Sequence, residues 1–356
     1  VVLGQLLTAY PSTATVTVAT ICVLAAAGLV LNPVDWREWF QVSRAPLAFA
    51  SATYVAYLSP VLMTGKTTFL GWIKLDDGST FMAFTDQLLA AGRTTAGLPE
   101  STFEAAVQFN FDRGYPMGAF VPLGVVAKIL NIDIAWVYQP YLAFLAALAT
   151  LTLYVVMRRF VVSTFQRGLF ALGAACSSLL VGYAWWGGIK ELTLVPLLAM
   201  VAHFIDEVRP HGDDKRSLLP LALVIGAFIS VFAPTGMAWV ALPLLFVAWK
   251  YQTDAPARLV SDVGALVVVA VLLSLPTFKA FGGLEAYKTA LTFTQSDPDI
   301  GNLYGQLNPM QIAGVWPTGD FRIENDLLLS TTTLLTGSGS GVVTLSGSLS
   351  GVGGLT

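Results

Sequence analysis

The sequence predicts an all-α polytopic membrane protein of about eight or more transmembrane helices, with a large first outer loop that carries interfacial helices. Three observations carry that expectation. Hydrophobic residues make up 55% of the chain and charged residues only 12%, against roughly 45 to 50% and about 25% in soluble domains. Mean hydropathy is +0.69. The apolar runs do not alternate with polar residues as the strands of a membrane barrel must, so they are helices.

A helix needs about 20 residues to cross the hydrocarbon core. Eight runs approach that length: Val16 to Leu31, Leu47 to Met63, Ile134 to Met157, Leu169 to Trp186, Leu192 to Ile205, Leu218 to Phe232, Met237 to Trp249 and Leu259 to Leu275. The fifth and seventh fall short and need flanking residues to complete them.

Lys and Arg beside short loops set orientation. They collect in every second loop: Arg37 and Arg44, then Arg158, Arg159 and Arg167, then Arg209, Lys215 and Arg216, then Lys250 and Arg258. Those loops are expected in the cytoplasm. Residues 65–133, the turn from Trp185 to Glu191 and everything after Pro276 then face outward, in what reads as a bacterial plasma membrane.

The chain divides accordingly. Residues 1–46 hold an N-terminal span and cytoplasmic loop, and Val1 to Tyr10 reads as the end of a preceding helix, with a cleaved signal as the alternative. Residues 47–276 form the transmembrane module, 277–329 a polar segment over the outer face, and 330–356 a Gly/Ser/Thr-rich, weakly β-prone tail to which no role is assigned.

Several chemistries are excluded. A net charge of −3 offers no basic surface for nucleic acid. Cys22 and Cys176 fall inside predicted spans, where a thiol acts as a small hydrophobe. Thr64-Gly65-Lys66-Thr67 imitates the end of a phosphate-binding loop, but Pro60 stands where its first glycine belongs. His203 and His211 have no Cys or His partner at ligand spacing.

The outer loop carries the chemistry. It opens on Asp76-Asp77, followed by Phe81, Met82, Phe84, Leu88 and Leu89 at the spacing of one helical face, with Gly92 as a stop. This predicts an amphipathic helix whose positive N-terminal end keeps the carboxylates ionised. Asn110-Phe111-Asp112-Arg113-Gly114-Tyr115-Pro116 then leads into Ala119 to Leu130, too short to span and expected to be interfacial or re-entrant.

This order, an acidic pair after an apolar helix, then a helix ending Leu88-Leu89-Ala90-Ala91-Gly92, then Tyr115-Pro116 feeding a second interfacial helix, resembles the first module of the GT-C superfamily of membrane glycosyltransferases. So does Asn131-Ile132-Asp133-Ile134-Ala135-Trp136 running into a long span closed by Arg158-Arg159-Phe160. The resemblance covers residues 47–205. It implies transfer of a sugar from a polyprenyl-phosphate donor to a glycan, lipid or protein acceptor at the cell envelope, with Asp76 as catalytic base and Asp77 in support. Many members carry Asp-Glu here, so Asp-Asp is a departure.

Chemistry agrees with that transfer. A sugar hydroxyl needs a carboxylate to take its proton, and a departing lipid phosphate needs a cation. Lys190 and Glu191 follow Trp185-Trp186 in a short outer turn, where the aromatic pair can hold a sugar ring; they read equally as interface anchors and a solvated ion pair. Arg113, beside Tyr115, can grip phosphate or neutralise Asp112. The aspartates can hold Mg²⁺ or Mn²⁺, act without metal, or merely cap the helix. Outside this class stand a transporter or flippase-like protein, which would carry ionisable residues at mid-depth, and a non-catalytic assembly subunit.

Overall fold

The computed structural model describes residues 1–32, 36–65, 75–185, 187–208, 218–233 and 237–280, together with four three-residue strands near the C-terminus. Side chains of residues 36–43, 75–76 and 237–238, and of the strands, are outside that description. So are Trp186, Arg209, His211, Lys215, Arg216 and the expected outer loops around Lys288, Asn308 and Trp316.

The chain falls into two contact units, 1–305 and 306–356. In the first, fifteen α-helices are described: α1 (Val2–Thr8), α2 (Pro11–Ala14), α3 (Thr17–Leu31), α4 (Trp36–Thr64), α5 (Leu75–Ala91), α6 (Thr102–Asp112), α7 (Phe120–Leu130), α8 (Ile134–Met157), α9 (Thr164–Ala175), α10 (Ser178–Trp185), α11 (Ile189–Glu207), α12 (Leu219–Phe232), α13 (Met237–Asp254), α14 (Gly264–Leu273) and α15 (Leu275–Ala280). A single 3-10 turn and a π-helical turn carry the chain from α13 into α14.

A helix occupies each of the eight expected spans, but by length and apolarity three helices can cross a membrane among the described residues: Arg44–Thr64, Ile134–Met157 and Pro256–Leu273. Taking α9 and α10 as one span bent by 46° gives a fourth. α3 and α12 are apolar but shorter. Arg37 and Arg44, expected in a connecting loop, lie on α4 itself, which continues through Pro46.

Packing centres on α8. Within α8, Gln139 donates through Nε2 to the Tyr57 carbonyl of α4 at 2.9 Å, and the hydroxyls of Thr53 and Thr150 meet at 2.7 Å. α4 and α8 are therefore antiparallel. At the far end of α8, Arg159 pairs with Asp206 of α11, and Lys250 of α13 donates to the Ile205 and Val208 carbonyls at 3.2 and 3.1 Å, satisfying acceptors that a helix C-terminus leaves open. The Arg159 end of α8 thus packs beside the C-terminal ends of α11 and α13. Outer faces of α3, α9 and α13 present exposed Val30, Leu31, Phe165, Phe170, Leu242 and Leu245, an apolar surface of the kind that a lipid solvent covers.

Capping explains where the outer-loop helices begin and end. The Ser101 hydroxyl accepts from the Glu104 amide at 3.1 Å to start α6, and Asp133 accepts from the Ala135 amide at 2.8 Å to start α8. α5 stops at Gly92, whose φ of +77° suits only glycine. A side chain there would also stand 3.0 Å from the Tyr10 backbone, because α2 packs against the end of α5.

In the second unit, β1 (Phe321–Ile323) pairs in parallel with β3 (Val343–Leu345), Arg322 opposite Thr344, and β2 (Leu327–Leu329) pairs in parallel with β4 (Leu349–Gly351), Leu328 opposite Ser350. Both ladders join residues 321–329 to residues 343–351. Val and Leu in the uncharged tail supply strand-forming residues to β3 and β4.

Candidate functional site

α5 and α7 build a wall of aromatic rings. Phe81 and Phe84 of α5 pack against Phe120 of α7, the first tilted and the second edge-on, with centroids 4.9 and 4.7 Å apart, and all three rings lie within 6.2 Å of Tyr115. Tyr115 sits in the turn between α6 and α7. Its ring is held on one side by this wall and on another by the Lys190 ammonium, 4.2 Å from the ring centroid. Such a contact is a cation–π interaction, and it strengthens where water is excluded.

Lys190 and Glu191 form the first turn of α11, entered through Gly187 and Gly188. Gly187 has φ +76°, and its carbonyl accepts the Tyr138 hydroxyl of α8 at 2.7 Å. The Glu191 carboxylate folds back over Gly188, Oε2 standing 2.9 Å from where a Cβ on that glycine would lie.

Electrostatics ties in Asp77. Burial raises the Tyr115 phenol above its usual value; the Lys190 charge opposes this, while Glu191 and Asp77 add to it. The same Glu191, Tyr115 and Asp77 act electrostatically on the Tyr138 hydroxyl. Lys190 therefore touches Tyr115, and the charges of Asp77 and Glu191 are close enough to act on that phenol, so residues from three distant stretches of chain share one neighbourhood near the start of α8 and α11.

The remaining expected residues stand apart or lie outside the description. Asp76 is in the first turn of α5, with its side chain undescribed. Arg113 is exposed, its guanidinium 3.7 Å from the Phe109 centroid, and among the described contacts none joins it to Tyr115, Lys190, Glu191 or Asp112. Trp185 is half-buried against the core. Trp186 is outside the described residues.

Two residues without an assigned role support the site. Tyr138 fixes the glycine turn. Arg93, just past α5, donates through its two terminal nitrogens to the Tyr115 and Phe111 carbonyls at 3.0 and 3.1 Å, holding the turn that presents Tyr115. Burial lowers its guanidinium to about 10, opposed by the Asp112 charge, so it stays protonated near neutrality. Asp112, the residue expected to pair with Arg113, acts on Arg93 instead.

No group of three or more His, Cys, Asp or Glu side chains gathers among the described residues. Mg²⁺ asks for less, since one or two carboxylates with substrate phosphate suffice, and Asp77 is the described carboxylate of the pair assigned that role. Comparison with protein-family models, curated proteins and solved structures finds no match.

Proposed function

We propose that this chain is a polytopic membrane glycosyltransferase of the GT-C kind, its helices spanning the bilayer about eight times and its site facing outward at headgroup depth. One observation carries the reading: a lysine rests on a half-buried tyrosine whose phenol feels the charge of a carboxylate at a helix N-terminus and of a glutamate, at the end of α8 away from Arg159. That combination suits transfer from a polyprenyl-phosphate sugar.

The acceptor oxygen attacks the anomeric carbon and the bond from that carbon to the phosphate oxygen breaks. The electron pair leaves with the lipid phosphate, and the acceptor proton passes to a carboxylate of the Asp76–Asp77 pair. Lys190 faces the departing phosphate, where fixed positive charge stabilises the transition state. Trp185 and Trp186 are the aromatic pair assigned to hold the sugar ring. When bound, Mg²⁺ or Mn²⁺ would supply further charge to the phosphate through the Asp pair.

The test uses purified protein in detergent or nanodiscs with radiolabelled polyprenyl-phosphate sugars and membrane-extracted acceptors, with and without chelation and metal add-back. Transfer that depends on the lipid-linked donor supports the reading. Transport of the same lipid without transfer would replace it with the flippase alternative.

A further inference from the structure

A second cationic pocket lies outside the group around Tyr115. α1, the Gly92 turn and the α14–α15 junction border an open cavity of about 380 Å³, with Arg93 and Lys279 as its charges and Leu6, Leu272 and Leu275 among its apolar walls. No residue of the Asp77–Lys190 group lines it. We propose that this cavity binds the phosphate of an anionic phospholipid, with the start of its acyl chain lying along the leucines.

The charges suit a phosphate. Two of Arg93's five N–H donors are used on the Tyr115 and Phe111 carbonyls, and the others remain for a ligand. Lys279 is exposed, its ammonium 5.5 Å from the centroid of Tyr10, which also borders the cavity. The acidic group acting on Arg93 is Asp112, which is exposed and well hydrated.

An independent observation points to an acceptor-bearing ligand. A recess of about 10 Å³ adjoins the cavity and shares Ala9, Arg93 and Pro276 with it. Gln5 lines this recess and is only 5% exposed. Its Oε1 accepts the Thr277 hydroxyl at 2.6 Å, while its Nε2 has no hydrogen-bond partner. A buried donor left unpaired is unfavourable, and the recess is the size of one oxygen. A phosphate oxygen, or a water bridging to one, completes it. The leucine walls select lipid-borne phosphate over free phosphate, which has nothing to place against them.

The inference rests on the membrane reading above but not on the transfer chemistry, and its readout is taken with no sugar donor present. Native mass spectrometry of the full chain released from nanodiscs containing phosphatidylglycerol and phosphatidylcholine should show phosphatidylglycerol retained, and added phosphatidylglycerol should raise the melting temperature. Inorganic phosphate and phosphatidylcholine should do neither. Lys279→Gln should weaken retention about tenfold with its melting temperature in lipid-free detergent unchanged, and Lys279→Arg should restore it. Equal stabilisation by inorganic phosphate would overturn the lipid assignment. Unchanged retention in Lys279→Gln, in protein that melts normally, would overturn the site.

Discussion

The Lys190 ammonium stands 4.2 Å from the centroid of the Tyr115 ring, joining the first turn of α11 to the turn between α6 and α7. Tyr115 is itself fixed by the aromatic wall and by Arg93, so the lysine is held by a rigid partner rather than by solvent. A cation ordered in this way is ready for a phosphate. Lys190→Ala should therefore weaken binding of the lipid-linked donor by about ten- to a hundredfold, the cost of one charge-assisted contact. Titration of a fluorescent polyprenyl-phosphate analogue checks this; a change within about twofold moves the phosphate elsewhere.

Tyr115 separates ring from hydroxyl. Tyr115→Phe keeps the aromatic packing and the face offered to Lys190, so its melting temperature should stay close to that of the parent. Tyr115→Ala opens a hole beside Phe81, Phe84 and Phe120 and should cost on the order of 3 kcal/mol. Thermal unfolding in detergent distinguishes the two.

Arg93 acts through its fork. Removing it leaves the Tyr115 carbonyl without this donor and the Phe111 carbonyl with only backbone amides of its own turn, and Arg93→Ala should cost about 1 to 3 kcal/mol. Arg93→Lys should rescue little, because one ammonium cannot reproduce two parallel guanidinium bonds. Rescue by lysine in unfolding experiments would mean that charge, not geometry, is what the turn requires.

The Gly187 turn is sensitive to a single methyl. Gly187→Ala places a Cβ at a left-handed φ and 3.0 Å from the Tyr138 hydroxyl oxygen. About 1 to 2 kcal/mol of backbone strain is expected, together with displacement of Lys190 and Glu191. A fall in both melting temperature and donor affinity is the predicted outcome.

Much of this was legible because it is local. Apolar runs mark the helices, Gly92 marks an end that backbone geometry enforces, and the placement of the acidic pair follows from what lies on either side of it. α6 was not anticipated, although Ser101 and Glu104 carry its cap and Val107 and Phe111, four residues apart, carry its buried face. Arg93 and Tyr138 could not be singled out at all. Arg93 acts on carbonyls 18 and 22 residues away, and Tyr138 on one 49 residues away, distances over which no spacing rule operates. The strand pairings joining residues 321–329 to 343–351 are hidden for the same reason.

Topology has its own test. Cysteines introduced at Thr95 and Ser163 lie at opposite ends of the bundle. An impermeant thiol reagent added to intact cells should label the first and spare the second. The reverse would turn the carboxylates toward the cytoplasm, where nucleotide-sugar donors are available.

The central claim is that the carboxylates at the start of α5 take the acceptor proton, and it is tested most directly by the transfer rates of Asp76→Asn and Asp77→Asn in folded, detergent-purified protein. A loss of about 10² to 10⁴ in rate in at least one variant, with donor binding retained, is the expected result. Full transfer activity in both would contradict it.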